Sequence, residues 1–324
     1  MPQISVIIVN YNAGKHLARC LETLAQQRFR DFDVWLVDNA STDGSIEALP
    51  VTLNSAFPNG FHLIKSQENL GFAGGNNRAA QEACGTWIAT LNPDAFPKPN
   101  WLEKLVAATN AFPEVTMFGS VQIDAQNPAQ LDGAGDMYHI LGIPARSYYK
   151  QPVTNLATGD VFAPCAAAAL YRRDTFARVG GFDERFFCYC EDVDLAFRLR
   201  LLGERCIQVS DAIVEHIGQG TGSTGDFTLY HGMRNRFWCF IKNMPPLLFW
   251  PLLPIHVMLQ CLFLLRAVIK GQGAVAFRAL MDGIKGLPLI WRERQRIQKQ
   301  RNVSMLKLLG TFTYSPWALM TRKG

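Results

Sequence analysis

The chain has 324 residues, near the ceiling for a single hydrophobic core, with 48% hydrophobic and 18% charged residues, which excludes a disordered chain and a coiled coil. Its net charge of +5 conceals a division: Met1 to Tyr230 carries 17 Lys+Arg against 25 Asp+Glu (−8), and His231 to Gly324 carries 15 against 2 (+13). An acidic body with a basic tail excludes a uniform nucleic-acid-binding surface, so no nucleic-acid partner is expected, and the tail calls for an anionic one.

Ile4 to Val9 is a β-branched run that ends at Asn10-Tyr11-Asn12, and no basic leader or small-residue cleavage site accompanies it, so the body is expected in the cytoplasm. Leu17, Leu21 and Leu24 then recur at helical spacing. Val34 to Val37 is a second strand-like run that stops at Asp38, followed by turn residues from Asn39 to Ser45. Phe61 to Ile64 is a third run, Phe72 to Ala83 reads as a helix, and Trp87 to Leu91 is a fourth run stopping at Asn92-Pro93-Asp94. Asn100 with Glu103 has the form of a capping box opening a helix through Phe112. This alternation predicts an α/β fold with a mainly parallel open sheet. The eight cysteines show no C-x-x-C spacing; Cys20 and Cys84 fall in apolar helical patterns, and free buried thiols are expected.

Ligands of open α/β sheets bind at the carboxyl ends of the strands, where Asp38 and Asp94 fall. If the two leave adjacent strands, they share one polar site. Asp38 can accept a hydrogen bond from a nucleobase, and Asp94 can hold a divalent cation against phosphate oxygens; each alone is equally a strand terminator or helix cap. The segment Gly71-Phe72-Ala73-Gly74-Gly75-Asn76-Asn77 is not a dinucleotide fingerprint; its Gly-rich helix start offers amides to an anion, or serves close packing. Further on, Glu191 and Asp192 open a helix marked by Leu195, Leu199 and Leu202 and closed by Gly203. Acids there are favoured by the helix dipole, and among aromatic neighbours Asp192 is also suited to general-base work. His216, after Val214-Glu215, is a candidate ligand to the cation of Asp94, a helper to the base, or a structural histidine.

Taken in order, Val6-Ile7-Ile8-Val9-Asn10-Tyr11-Asn12, Val37-Asp38-Asn39-Ala40-Ser41-Thr42-Asp43-Gly44-Ser45, Asn69-Leu70-Gly71-Phe72-Ala73-Gly74-Gly75-Asn76-Asn77, Leu91-Asn92-Pro93-Asp94 and Glu191-Asp192 resemble the inverting GT-A glycosyltransferases of family 2. Asn92-Pro93-Asp94-Ala95 and Arg234-Asn235 after Tyr230-His231 resemble its bacterial rhamnosyltransferase-like branch. The resemblance covers roughly residues 3 to 240. It implies a nucleotide-sugar donor (dTDP- or UDP-linked) bound by Asn10, Tyr11, Asn12, Asp38, Gly71, Asn76 and Asp94, with Mg²⁺ or Mn²⁺ on Asp94 and His216. It implies Asp192 as catalytic base, beside Glu191, for a hydroxyl of a glycan or lipid-linked acceptor in cell-surface polysaccharide assembly. The family's D-x-D motif is Asn92-Pro93-Asp94 here, one carboxylate fewer. A catalytically inactive nucleotide- or carbohydrate-binding scaffold is the alternative, and the retained acids argue against it. Sugar, base and oligomeric state stay open.

On this reading residues 1–230 are the catalytic domain and 231–324 a helical, membrane-associating region. Leu247 to Leu265 is 19 residues without Asp, Glu, Lys or Arg, roughly 28 Å as a helix and barely enough to cross a bilayer. Pro251 and Pro254 interrupt it and basic residues flank both ends, which predicts a kinked helix or hairpin in one leaflet of an anionic membrane, at its cytoplasmic face. The alternative is a core helix or subunit contact. Trp291 to Arg301, with Arg292, Arg294, Arg296, Lys299 and Arg301, is expected to touch anionic lipid.

Overall fold

The computed structural model describes residues 1–50, 52–218 and 225–322. Strand β1 (Ile4–Asn10), buried along nearly its whole length, lies between β2 (Phe32–Asp38) and β4 (Trp87–Leu91), parallel to both, and β3 (Phe61–Lys65) extends the parallel row beyond β2. Parallel neighbours need crossovers. Helices α1 (Lys15–Ala25) and α3 (Gly71–Glu82) supply two of them, and the single turn α2 (Leu53–Ala56) lies in the link to β3. After β5 (Ala95–Pro97) and α4 (Trp101–Ala111), the sheet continues through β6 (Met117–Asp124), with β7 (Leu131–Ala134) beside it and β8 (Asp136–His139) and β9 (Ile143–Arg146) as a separate hairpin. The short β10 (Gly159–Asp160), β11 (Ala168–Arg172), helices α5 (Arg173–Arg178) and α6 (Glu191–Leu201), and β12 (Cys206–His216) complete it. The order is β10-β12-β6-β11-β4-β1-β2-β3: an open α/β sheet, mainly parallel, with β11 inserted antiparallel between β4 and β6.

This order corrects one expectation. Asp38 and Asp94 do not leave adjacent strands, because β1 lies between β2 and β4. Two local readings also change. Asn100 precedes α4 without a side-chain capping bond, and Cys84 lies past the end of α3, exposed. All eight thiols are free, with Cys261 also exposed.

Helices α7 (Gly225–Asn243), α8 (Pro246–Ile269), α9 (Gly273–Lys285), α10 (Leu287–Gln300), α11 (Met305–Leu309) and α12 (Pro316–Thr321) form the C-terminal region. The expected division at residue 231 falls inside α7, and the core crosses it: Ile7, Val37, Met117 and Tyr171 of the sheet share one apolar cluster with Phe237, Phe240, Phe249, Ile290 and Ile297. Instead of a hairpin, Pro246 to Ile269 is one helix of 24 residues. Pro251 and Pro254 leave only the carbonyls of Leu247 and Trp250 without helical donors. Arg294 is not a free cation: it is buried and donates to the carbonyls of Ile241 (2.7 Å) and Met244 (2.5 Å).

The joint between α6 and α7 is ionic. Lys242, 1% exposed, places its Nζ 2.5 Å from Asp183 and 2.9 Å from Asp194. Asp194 also accepts from Arg198 (2.8 Å) and from the Asn243 amide (2.8 Å). Burial opposes charge on Asp183, but Lys242 and Arg185 outweigh it and hold the carboxyl below the usual range. Removing one member of a buried ionic set leaves an uncompensated charge, at about 3–5 kcal/mol. Because Arg185 and Arg198 remain, we expect Lys242→Met to destabilise by about 3 kcal/mol and to lower Tm on the order of 6 °C in thermal unfolding. A Tm within about 1 °C of wild type would show that the joint does not depend on this lysine.

Candidate active site

At the carboxyl edge of β1 and β2, Asn10 and Asp38 stand in register. Both are buried, and the turn after Asp38 is built on them. Asn10 donates to the hydroxyls of Ser41 (3.0 Å) and Ser45 (2.9 Å), the Asp38 carboxylate accepts from the Ser41 amide (3.2 Å), and Asn12 Oδ1 accepts from the Thr42 amide (2.8 Å). Asn12 and Ala40 both take left-handed φ, which a well-determined turn can impose. Tyr11, which follows β1 directly, is 40% exposed.

The Gly-rich start of α3 serves packing. A Cβ on Gly71 would come within 2.6 Å of Phe187, and one on Gly75 within 2.6 Å of Val9. The Gly71 amide donates to Asn69 Oδ1 (2.9 Å) and the Ala73 amide to the Phe187 carbonyl (3.1 Å), so both are already engaged. Asn76 turns back onto its own helix, donating to the Phe72 carbonyl (2.9 Å).

Strand pairing brings Asp94 and His216 together. His216 ends β12 opposite Ala95 of β5, the residue after Asp94. The two buried side chains meet at 3.3 Å between His216 Nε2 and an Asp94 oxygen, and the Asn92 amide lies 3.3 Å from the same nitrogen. His216 Nδ1 donates to Asp132 (2.7 Å), which is itself paired with Arg146 (2.5 Å). Burial disfavours the imidazolium, but Asp94 and Asp132 outweigh it and raise the histidine to about 9. Once a cation displaces the Nε2 proton, a carboxylate oxygen and an imidazole nitrogen, the latter oriented by a second acid, would form a donor set that fits a divalent cation.

The third element is the start of α6. Before it runs a loop with Phe187, Tyr189 and Cys190 all at positive φ, which costs energy for non-glycine residues and persists only where surroundings impose it. Helix α7 imposes it: Asn235 donates to the carbonyls of Phe186, Cys188 and Tyr189 (2.8 Å each), Arg234 to those of Arg185 and Phe186, and His231 stacks on Phe187. Asp192 is then held at both oxygens, by the amides of Val193 (2.8 Å) and Ala166 (3.1 Å). Burial raises its carboxyl, and these amides pull the other way. Glu191 is more deeply buried, and burial pushes it well above the carboxylate range, next to the charge of Asp192.

Asn92, Asp94, His216, Glu191 and Asp192 line one cavity of about 360 Å³. Asn10, Tyr11, Asn12, Asp38, Gly71 and Asn76 do not line it; Asn10 to Asp38 form the neighbouring edge of the crevice. The cavity also contains residues that the sequence reading passed over: Asp136, Arg146 and Cys165. Ligand atoms of Asp136, Cys165 and Asp192 lie within 4.8 Å of one another. Burial and the neighbouring acids push the Cys165 thiol up to about 12, which makes it a poor ligand for a hard cation, and leaves Asp136 and Asp192 as a neighbouring carboxyl pair. Burial and the charge of Asp192 raise Asp136 to about 7, against Arg146 and Arg322. One sequence signal was available: in Asp132-Gly133-Ala134-Gly135-Asp136-Met137-Tyr138, two acids flank small residues ahead of an apolar strand, where an acid without a role is expensive.

The pair has a sign-definite consequence. A carboxyl raised on folding prefers its protonated form, so its contribution is whole below the unfolded pKa of about 3.9 and is lost as pH rises towards 7. We expect Asp136→Asn to raise Tm relative to wild type at pH 8, on the order of 2 °C for each kcal/mol, and to leave it little changed at pH 4. Thermal melts across that range measure it. An equal shift at both ends would mean that the carboxyl carries no such linkage.

Comparison with known proteins agrees with this architecture. Residues 5–180 match the family described as "Glycosyl transferase family 2". The chain is 30% identical over 245 residues to the "N-acetylglucosaminyl-diphospho-decaprenol L-rhamnosyltransferase" of Mycobacterium tuberculosis, covering 68% of this chain and 78% of that one. It is 29% identical over 226 residues to the "O-antigen biosynthesis protein RfbC" of Myxococcus xanthus, covering 66% of this chain and 17% of that one. Among solved structures, a mannosyltransferase from Pyrobaculum calidifontis in complex with GDP-Man and Mn²⁺ superposes with a TM-score of 0.57 at 20% identity, covering 96% of this chain and 87% of that one. TarS 1–349 of S. aureus in complex with UDP-GlcNAc does so with a TM-score of 0.57 at 19% identity, covering 92% and 89%. The open sheet with its carboxyl-edge crevice is thus the GT-A fold, and this chain belongs to glycosyltransferase family 2.

Proposed function

We propose that this glycosyltransferase moves one sugar, with rhamnose favoured, from a UDP- or dTDP-linked donor to a hydroxyl of a lipid-linked glycan at the cytoplasmic face of a membrane, in cell-surface polysaccharide assembly, as a hexosyltransferase acting with inversion. One observation carries the reading: Asp192, its oxygens aligned by two backbone amides, shares a cavity with the Asp94–His216 pair. The donor's base would lie at the Asn10–Asp38 edge, beside Tyr11, and its diphosphate near Asp94. A divalent cation, Mg²⁺ or Mn²⁺, would be held by Asp94 and His216 and would neutralise charge on the departing diphosphate. The acceptor oxygen attacks the anomeric carbon as the bond from that carbon to the diphosphate oxygen breaks; the nucleoside diphosphate leaves with the electron pair, and the acceptor proton passes to Asp192. Glu191 and Asp136, both buried, line the cavity beside that base. The rhamnosyl and lipid-diphosphate parts of the reading rest on the printed activity of the mycobacterial relative.

Membrane association rests on the way α8 faces. Its buried residues are Phe249, His256, Gln260 and Ala267, so His256 and Gln260 face the protein, while Arg266 in its last turn is exposed. Outward it presents Leu247, Trp250, Met258, Leu262, Leu265, Val268 and Ile269, all more than half exposed. A polar inner and apolar outer face is the arrangement for a helix in lipid. The apolar surface extends beyond α8, since Trp250 meets Trp291 of α10 at 6.2 Å and Leu247 shares a groove with Met305 of α11. A helix packed along the body in this way supports insertion into one leaflet rather than a free crossing. The exposed cations Arg292, Lys299 and Arg301 supply the second anchoring signal.

Two measurements test these readings. Asp192→Asn is expected to lower kcat by roughly 10²–10⁴-fold while donor affinity by calorimetry stays near wild type; near-normal turnover would remove Asp192 from the role of base. In co-sedimentation with anionic liposomes, Trp250→Glu/Leu262→Glu is expected to abolish binding at every salt concentration. Arg292→Gln/Lys299→Gln/Arg301→Gln should only weaken it and flatten its salt dependence. A wild-type chain that stays in the supernatant at low salt would rule out the membrane reading.

A further inference from the structure

Arg236 of α7 lies where the catalytic cavity meets a second cavity of about 340 Å³ between α7 and α8, and Thr228 and Gly232 line both as well. Its guanidinium lies over the Phe263 ring at 4.0 Å, and its Nε–H is buried without a partner. One hydrogen bond is made, from Nη2 to Gln260 Oε1 at 3.2 Å. Gln260 is oriented in turn. His256 Nδ1 lies 2.9 Å from the Leu141 carbonyl and so carries the proton, leaving Nε2 to accept from the Gln260 amide at 3.0 Å. The polar inner face of α8 is therefore a relay that positions this arginine.

Among the described residues no carboxylate lies within 4.0 Å of the Arg236 side-chain nitrogens, whereas Arg185, Arg198 and Arg205 each have an acid partner. Burial draws Arg236 down to about 10, still protonated at neutral pH. Arg236 is half-buried and faces both cavities with its Nε–H unpartnered, so an anion entering there would meet a free donor and an uncompensated positive charge. The second cavity adds two more exposed cations, Arg266 in the last turn of α8 and Lys270 just after it, and an apolar wall of Leu229, Met233, Phe263 and Ala267. The nearby acid, Asp226, is engaged by Gln272 at 2.8 Å.

We propose that Arg236, Arg266 and Lys270 form the binding site for the diphosphate of a prenyl-diphosphate-linked acceptor, with the prenyl chain leaving along the apolar face of α8 and the glycan entering the catalytic cavity past Gly232. The inference rests on the lipid-linked acceptor reading above and assigns it a site. A diphosphate offers several acceptor oxygens to converging cations. A tail that begins on α8 also accounts for an anion site opening beside an outward apolar helix. The donor's diphosphate has its own place at Asp94 and His216, which this cavity does not include.

The test is calorimetry on the full chain in non-ionic detergent micelles, with farnesyl diphosphate, farnesol and UDP as separate probes. Wild type is expected to bind farnesyl diphosphate at least roughly ten-fold more tightly than farnesol. Arg236→Gln and the surface double variant Arg266→Gln/Lys270→Gln should each remove most of that difference, and the double variant should keep wild-type affinity for UDP. The double variant alters only exposed side chains, so its folding is not in question. Unchanged farnesyl diphosphate affinity in the double variant would overturn the assignment, and so would a parallel loss of UDP affinity, which would place the cations on the donor. Calorimetry needs no turnover. Prenyl diphosphate binding by a chain that releases no nucleoside diphosphate from nucleotide-sugars would therefore support the site and reject the transfer reading alone.

Discussion

The buried contact of Lys242 with Asp183 and Asp194 is the constraint on which the catalytic geometry depends. Asp194 lies two residues after Asp192 on α6, so whatever fixes Asp194 fixes the helix that aims Asp192. A lysine at 1% exposure tolerates little displacement, because its charge is satisfied only where both carboxylates reach it. Arg234 and Asn235, two turns earlier on α7, hold the strained loop that leads into the same helix. The C-terminal region is therefore built into the structure that holds α6 and the loop before it.

The same helix makes the link outward. Asn235 faces the catalytic loop, and its neighbour Arg236 reaches the inner face of α8 through Gln260 and His256. One stretch of α7 thus touches the loop that leads into α6 and the helix with the apolar outer face.

On the sheet, chemistry collects where β5 turns back against β12. That antiparallel pairing sets His216 opposite Ala95 and so next to Asp94, and Asp132 on β7 orients the imidazole from the other side. The second carboxylate beside His216 comes from β7, brought to Asp94 and His216 by folding alone.

Sequence alone determined the alternating elements β1 to β4, the placing of Asp38 and Asp94 at strand ends, the start of α6 at Glu191 and the oily character of Leu247 to Leu265. These are local properties, encoded in β-branched runs, turn residues and helical spacing. The tertiary structure decided what no local pattern carries. It separated Asp38 from Asp94 by one strand and turned Asn76 and the glycines of α3 to packing. It buried Arg294 as a helix tie and kept Pro246 to Ile269 as one helix despite two prolines, because one face of that helix is packed. It also brought in Asp132, Asp136, Arg146, Cys165 and Arg236, whose roles depend on charges far along the chain. A carboxylate at a strand end announces itself by position, but two carboxyls brought side by side from distant segments, or an arginine set between two cavities, exist only once the chain has folded.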